Sequence, residues 1–219
     1  MNNKTDITIL LDRTGSMMVI KEDTIGGFNA FIHGQQKVDG ECVVSLVQFD
    51  GQDPQEVVYE AKNIHEVPDL DDSTFMPRAD TPLLDAIGTL IVNTGARLSA
   101  IEEGKRPDKI LFVIITDGEE NASREYTRDK ILEMITHQTD VYKWEFVYLG
   151  ANQDAIKEGA KLGIDLGHSM SYAHTGDGAK NLFSTLNKCA SAYRTCANST
   201  FAFSDEDRQT QDDLINKKK

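Results

Sequence analysis

The sequence predicts an α/β protein, a mostly parallel sheet with helices on both faces. Three observations predict it. Short apolar runs alternate with segments whose apolar residues recur at helical spacing. Several of the runs are continuously apolar, as strands covered on both faces are. Two of them, 7–11 and 109–115, are followed by a carboxylate, Asp12 and Asp117, and then by loop-forming residues that include a glycine.

With 219 residues, 39% of them hydrophobic, the chain suits one domain with a substantial core. The formal net charge of −13 disfavours nonspecific binding to nucleic acid or to an anionic membrane, both of which need clustered cations. Metal ions and basic partners fit better. Cys42, Cys189 and Cys196 have no metal-binding spacing, and their odd number forms no disulfide framework. No apolar run approaches the roughly 20 residues needed to span a bilayer, and no signal core opens the chain. The expectation is a cytoplasmic protein.

The first strand is read at 7–11. After the loop Asp12-Arg13-Thr14-Gly15-Ser16, the residues Ile25, Phe28, Phe31 and Ile32 mark a helix whose Gly26-Gly27 would allow close approach to a neighbouring strand. Residues 42–49 and 56–64 read as strands joined by the turn-rich 50–54, the second an antiparallel edge. Residues 65–80 read as irregular. Thr81 is the expected N-cap of the next helix, with Pro82 in its first position and Asp85 a favourable charge in its first turn. Leu83, Ile87, Leu90, Ile91, Thr94, Leu98 and Ile101 continue one face.

The run 109–115 is the most apolar in the chain and leads into Thr116-Asp117-Gly118-Glu119-Glu120-Asn121. A helix at 126–139, a strand at 144–149, a helix at 154–162, a short strand at 169–172 and a helix at 179–197 follow. The last helix carries a stripe of Leu182, Leu186, Cys189, Ala190, Tyr193 and Ala197, so its cysteines read as core packing. Residues 204–219 are almost wholly polar and read as a disordered tail.

In an open parallel sheet, ligands bind beyond the carboxyl ends of the strands where strand order reverses. Asp12, Thr14, Ser16, Thr81 and Asp117 are placed to meet there. Carboxylates and hydroxyls are the ligands that hard divalent cations such as Mg2+ select, with Mn2+ or Ca2+ as alternatives. Each residue also has a plainer role to weigh: Asp12 and Ser16 as helix caps, Asp117-Gly118 as a turn. The five histidines are dispersed and none is assigned to metal. Glu119 and Glu120 read as exposed loop acids, Trp144 as packing, and Arg13 as undetermined in direction.

The set Asp12-x-Thr14-x-Ser16, Thr81-Pro82-Leu83 and Thr116-Asp117-Gly118 resembles the metal-ion-dependent adhesion site of von Willebrand factor type A domains. It departs from the usual Asp-x-Ser-x-Ser in Thr14, which keeps the hydroxyl, and in Ala79-Asp80, where a glycine is common ahead of the threonine. The resemblance spans residues 5–200, and stand-alone bacterial or phage domains are the kind it matches. It implies a Rossmann-like, doubly wound, mostly parallel six-stranded sheet of order 3-2-1-4-5-6 with strand 3 as the antiparallel edge. It further implies that Thr14 and Ser16 bind the cation directly, Asp12 and Asp117 balance its charge, and Thr81 switches between direct and indirect contact. A partner protein's Asp or Glu would supply the last ligand, with an ATPase or kinase as a candidate partner, and the last helix could shift on binding. The module would be a noncatalytic one.

The alternative function is a metal-dependent phosphohydrolase or nuclease on the same kind of sheet. Asp12-Arg13-Thr14 is similar to an Asp-x-Asp-x-Thr phosphatase loop, but Thr14 stands where the second aspartate is needed and no positioned base is evident.

Overall fold

The computed structural model describes residues 4–151, 154–196 and 199–217. The strands are β1 (Thr5–Asp12), β2 (Cys42–Phe49), β3 (Glu56–Asn63), β4 (Lys109–Thr116), β5 (Glu145–Ala151) and β6 (Ser169–Tyr172). The helices are α1 (Lys21–Gln35), α2 (Leu83–Ser99), α3 (Arg128–Tyr142), α4 (Ala155–Lys161), α5 (Gly176–Thr195) and α6 (Asp205–Asn216). The six strands form one sheet in the order β3-β2-β1-β4-β5-β6, parallel except for the antiparallel edge strand β3.

Side chains alternate across the sheet and build two separate cores. On one face Ile7, Ile9 and Leu11 of β1 pack with Phe28, Phe31 and Ile32 of α1 and with Leu182, Phe183 and Leu186 of α5. On the other, Leu10, Phe112 and Ile114 pack with Ile87, Leu90 and Ile91 of α2 and Ile131 and Ile135 of α3. The continuous apolar runs thus reflect burial on both faces. Trp144 is 3% exposed and stacks beside Phe146 within the second core.

Several expectations need correction. A 3-10 turn, Gly15–Ile20, precedes α1, which starts earlier than the apolar spacing suggested and carries Glu22 and Asp23 in its first turn. Gly27 approaches a helix instead of a strand: a Cβ there would stand 2.3 Å from the Phe183 ring of α5. Thr81 does not cap α2. The N-cap is Pro82, without a side-chain hydrogen bond, and the free amides of the first turn find their acceptors in a distant loop. Leu84 N–H donates to Glu120 Oε2 at 2.9 Å and Asp85 N–H to Ser123 Oγ at 3.1 Å. Cys189 is buried as expected, but Cys196 is exposed; Ala197 of the same stripe lies outside the described residues.

The largest difference is at the C-terminus. The segment read as a disordered tail forms α6, opened by a capping box between Ser204 and Asp207. It packs on β6 and α5. Its buried contacts are polar, so no apolar stripe announces them: Gln211 accepts from Ala173 N–H at 3.1 Å and donates to the Gly178 carbonyl at 3.0 Å. Arg208 donates to the Leu166 carbonyl at 2.7 Å. Lys218 and Lys219 lie outside the described residues.

At the opposite end of α5, Arg194 is 1% exposed and donates to the Gln35, Val38 and Gly40 carbonyls, while Lys109 donates to those of Tyr193 and Cys196. These bonds tie the end of the helix to the base of the sheet. No helix among the described residues is long and apolar enough to cross a membrane.

Candidate metal centre

β1 and β4 are adjacent and parallel, with Leu11 level with Ile115, so Asp12 and Asp117 leave the same edge of the sheet. This is where strand order reverses, since β1 connects outward to β2 while β4 lies on its other side. Asp12 is 0% exposed. Its Oδ1 accepts the Thr14 N–H at 2.7 Å and its Oδ2 accepts the Thr116 hydroxyl at 2.6 Å. Thr14 Oγ1 and Ser16 Oγ are 3.3 Å apart, and Ser16 Oγ donates to Asp117 Oδ1 at 2.8 Å. Asp12, Thr14, Ser16 and Asp117 are therefore linked, directly or through one backbone amide, into one cluster.

Thr81 joins it from a third segment. Its Oγ1 stands 2.8 Å from where a Cβ on Gly118 would lie, so the missing side chain at 118 makes room for this hydroxyl against the residue that follows Asp117 in the chain. Thr81 is held by two backbone-directed bonds with Asn121: its N–H donates to Asn121 Oδ1 at 3.0 Å, and the Asn121 N–H donates to its carbonyl at 3.2 Å. Neither Asp12 nor Ser16 acts as a helix cap, because the 3-10 turn after the loop has Thr14 at its N-cap and no side-chain cap bond.

Much of the support for the site was not assigned from sequence. Arg13 points inward, 1% exposed, and meets the buried Asp50 carboxylate at 2.6 Å, which also receives Arg78 at 2.9 Å. The backbone of 13–15 is clamped by the same segment, with Arg78 N–H on the Arg13 carbonyl at 2.9 Å and Gly15 N–H on the Ala79 carbonyl at 3.2 Å. Asp85 does more than favour a helix N-terminus: its carboxylate accepts the N–H groups of Arg124, Glu125 and Tyr126 at 2.7 to 2.9 Å. Glu120 is a structural acid, accepting from the Leu84, Ala122 and Ser123 amides. Together they fix the loop that carries Asp117. His174 Nε2 stands 3.0 Å from Asp117 Oδ2.

Electrostatics set the character of the place. Burial, opposed by the Thr116 hydrogen bond and reinforced by the nearby Asp117 charge, pushes the Asp12 carboxyl up to about 6. No Lys or Arg among the described residues pairs with either aspartate. Two buried carboxylates facing hydroxyl oxygens form a donor set that suits a hard divalent cation. Among the described residues no three His, Cys, Asp or Glu side chains gather as a metal cluster, so any ion here would depend on the hydroxyls.

No family model matches the chain, and no curated protein does. Solved structures match its fold. Proximal thread matrix protein 1 from the mussel byssus, in a structure with a zinc-occupied metal-ion-dependent adhesion site, is 13% identical with a TM-score of 0.58 over 85% of this chain and 46% of that one. A von Willebrand factor type A protein from Catenulispora acidiphila is 12% identical with a TM-score of 0.53, over 86% of this chain and 42% of that one. The pilus adhesin SpaC from Lactobacillus rhamnosus GG, in its open conformation, is 15% identical with a TM-score of 0.59, over 84% of this chain and 29% of that one. The chain thus spans less than half the length of each. With a six-stranded sheet of this order and helices on both faces, the chain has the von Willebrand factor type A fold.

Proposed function

We propose that this chain is a noncatalytic, divalent-cation-dependent protein-interaction module. The ion would be held by Thr14, Ser16 and Thr81 within the field of Asp12 and Asp117, and it would recruit an Asp or Glu side chain of a partner protein. The observation that carries this is the convergence of three loops into one oxygen-lined cluster at the switch point of the sheet. The Ser16 hydroxyl donates its proton to Asp117, which leaves its lone pairs for a cation, and Ser16 is itself exposed to an incoming ligand. Both Asp12 oxygens already accept hydrogen bonds, so Asp12 acts as buried charge more than as a direct ligand.

Bound there, a divalent ion would supply an electrophilic centre: two carboxylates nearly balance its charge, and neutral hydroxyls leave it open to one further anion. Mg2+ is the cation proposed, with Mn2+ and Ca2+ as alternatives. The zinc-occupied site in the mussel protein and the adhesive role named for the pilus protein support the reading by analogy of fold. The hydrolase alternative has less support: Thr14 occupies the place of its second aspartate, and the imidazole of His174 is turned to Asp117. The partner proposed is an acid-bearing protein in the cytoplasm, with an ATPase or kinase as the first to assay.

Capture of partners by the immobilised chain in Mg2+ and in EDTA tests the proposal, with Ser16→Ala as control. Capture confined to Mg2+ and lost in Ser16→Ala is expected. Capture indifferent to both chelator and substitution would overturn it.

A further inference from the structure

The rows of the sheet bring a fourth segment to the site. Thr116 of β4 is level with Gly150 of β5, and Gly150 with Ser171 of β6. One residue further on, Ala151 is level with Tyr172, and both belong to the core under α1 and α5, while Asp117 is the first residue beyond the end of β4. Strands lie about 4.8 Å apart, so β4 and β6, on either side of β5, are separated by roughly 9.6 Å, and the β5 residue level with Tyr172 is the small Ala151. A tyrosine reaching across a methyl group can close that span. His174, two residues beyond Tyr172, already does so in placing Nε2 3.0 Å from Asp117 Oδ2.

Tyr172 is 1% exposed and its hydroxyl has no hydrogen-bond partner. A buried hydroxyl left unpaired costs about 1–3 kcal/mol. Burial first, and then the charges of Asp117 and Asp12, hold this phenol well above its ordinary value. A protonated donor with no acceptor, near two carboxylates, is an arrangement that a water bound beside a cation would satisfy.

We propose that β6 supplies a fourth arm of the cation site. Tyr172 Oη donates to a water held against the carboxylate pair, and His174 braces Asp117 through the oxygen that Ser16 does not use. Both are positioning residues. This rests on the cation-binding reading above, and it assigns to the site a strand that none of the three motif segments contains.

Titration of the full chain with Mn2+, followed by electron paramagnetic resonance and by water-proton relaxation of the bound ion, tests it. Tyr172→Phe should leave the metal-free protein at least as stable as the original, since it removes an unpaired hydroxyl. It should also weaken Mn2+ binding about tenfold or more and change the relaxivity of bound Mn2+. His174→Ala should weaken binding similarly, and His174→Gln, which keeps a donor, should recover part of it. Unchanged Mn2+ affinity and relaxivity in Tyr172→Phe, or a marked loss of metal-free stability, would overturn the proposal while leaving the cation site standing. An original chain that binds no Mn2+ would overturn both.

Discussion

Replacing Asp12 by Asn should make the metal-free protein more stable at neutral pH while removing its affinity for cations. Burial holds the Asp12 carboxyl up to about 6, whereas in the unfolded chain it titrates near the ordinary ~3.9. A group that binds its proton more tightly when folded contributes most to stability below about pH 4; the contribution falls between pH 4 and 6 and is lost above. The gap, about two decades in proton affinity, is worth up to ~3 kcal/mol at 1.36 kcal/mol per decade. Asparagine mimics the protonated acid. Its carbonyl can keep the Thr14 amide, and Thr116 can turn its proton toward the Gly118 carbonyl 3.2 Å away. Urea unfolding in EDTA should therefore show Asp12→Asn more stable by about 1–3 kcal/mol at pH 7.5, with the difference shrinking toward zero at pH 4. A variant less stable at pH 7.5, or a difference independent of pH, would show that the burial of the Asp12 charge does not weigh on the fold.

Other substitutions probe the scaffold. Arg13→Met leaves the buried Asp50 with Arg78 and the amides of Gln52 and Asp53 but without its buried cation, and should destabilise the chain by about 3 kcal/mol in denaturant unfolding, as loss of one member of a buried pair does. Gly118→Ala places a methyl 2.8 Å from Thr81 Oγ1, so Mg2+ affinity by calorimetry should fall while the far-ultraviolet circular dichroism stays unchanged. Gln211→Ala removes the side chain joining α6 to Ala173 and Gly178, and should lower stability by about 1–3 kcal/mol. Amides of α6 should show hydrogen-exchange protection in the unmodified chain. The buried bonds of Arg194 and Lys109 hold the end of α5, so its amides should exchange equally slowly with and without Mg2+.

The parts of the molecule most legible in sequence are those where apolar periodicity and burial agree. β2 and β6 are found at their expected bounds, and the face of α2 from Leu83 to Leu98 is buried as read. Legibility fails where polar groups carry the packing. α6 is invisible to hydrophobic patterning because Asp207 and Gln211 make its buried contacts. Glu120, Asn121 and Asp85 read as ordinary loop and helix-end residues because their partners are backbone amides some 36 to 41 residues away, at separations no local pattern encodes. Arg13 sits between two candidate ligands yet serves the scaffold, and only the proximity of the acid-rich turn at 50–54 could have hinted at that. Asp12, Thr14, Ser16, Thr81 and Asp117 stand out as candidates in the sequence because their spacing forms a motif; Tyr172 and His174 come from β6 and the turn after it, outside that motif.

The proposed module binds one divalent cation among the hydroxyls of Thr14, Ser16 and Thr81. The most direct test is a crystal of the chain grown with Mn2+ and measured for anomalous scattering. A single strong peak is expected within about 2.2 Å of the Ser16 hydroxyl, with water or a neighbouring carboxylate completing the shell of the ion. A map from crystals at millimolar Mn2+ with no peak there would contradict the proposed binding.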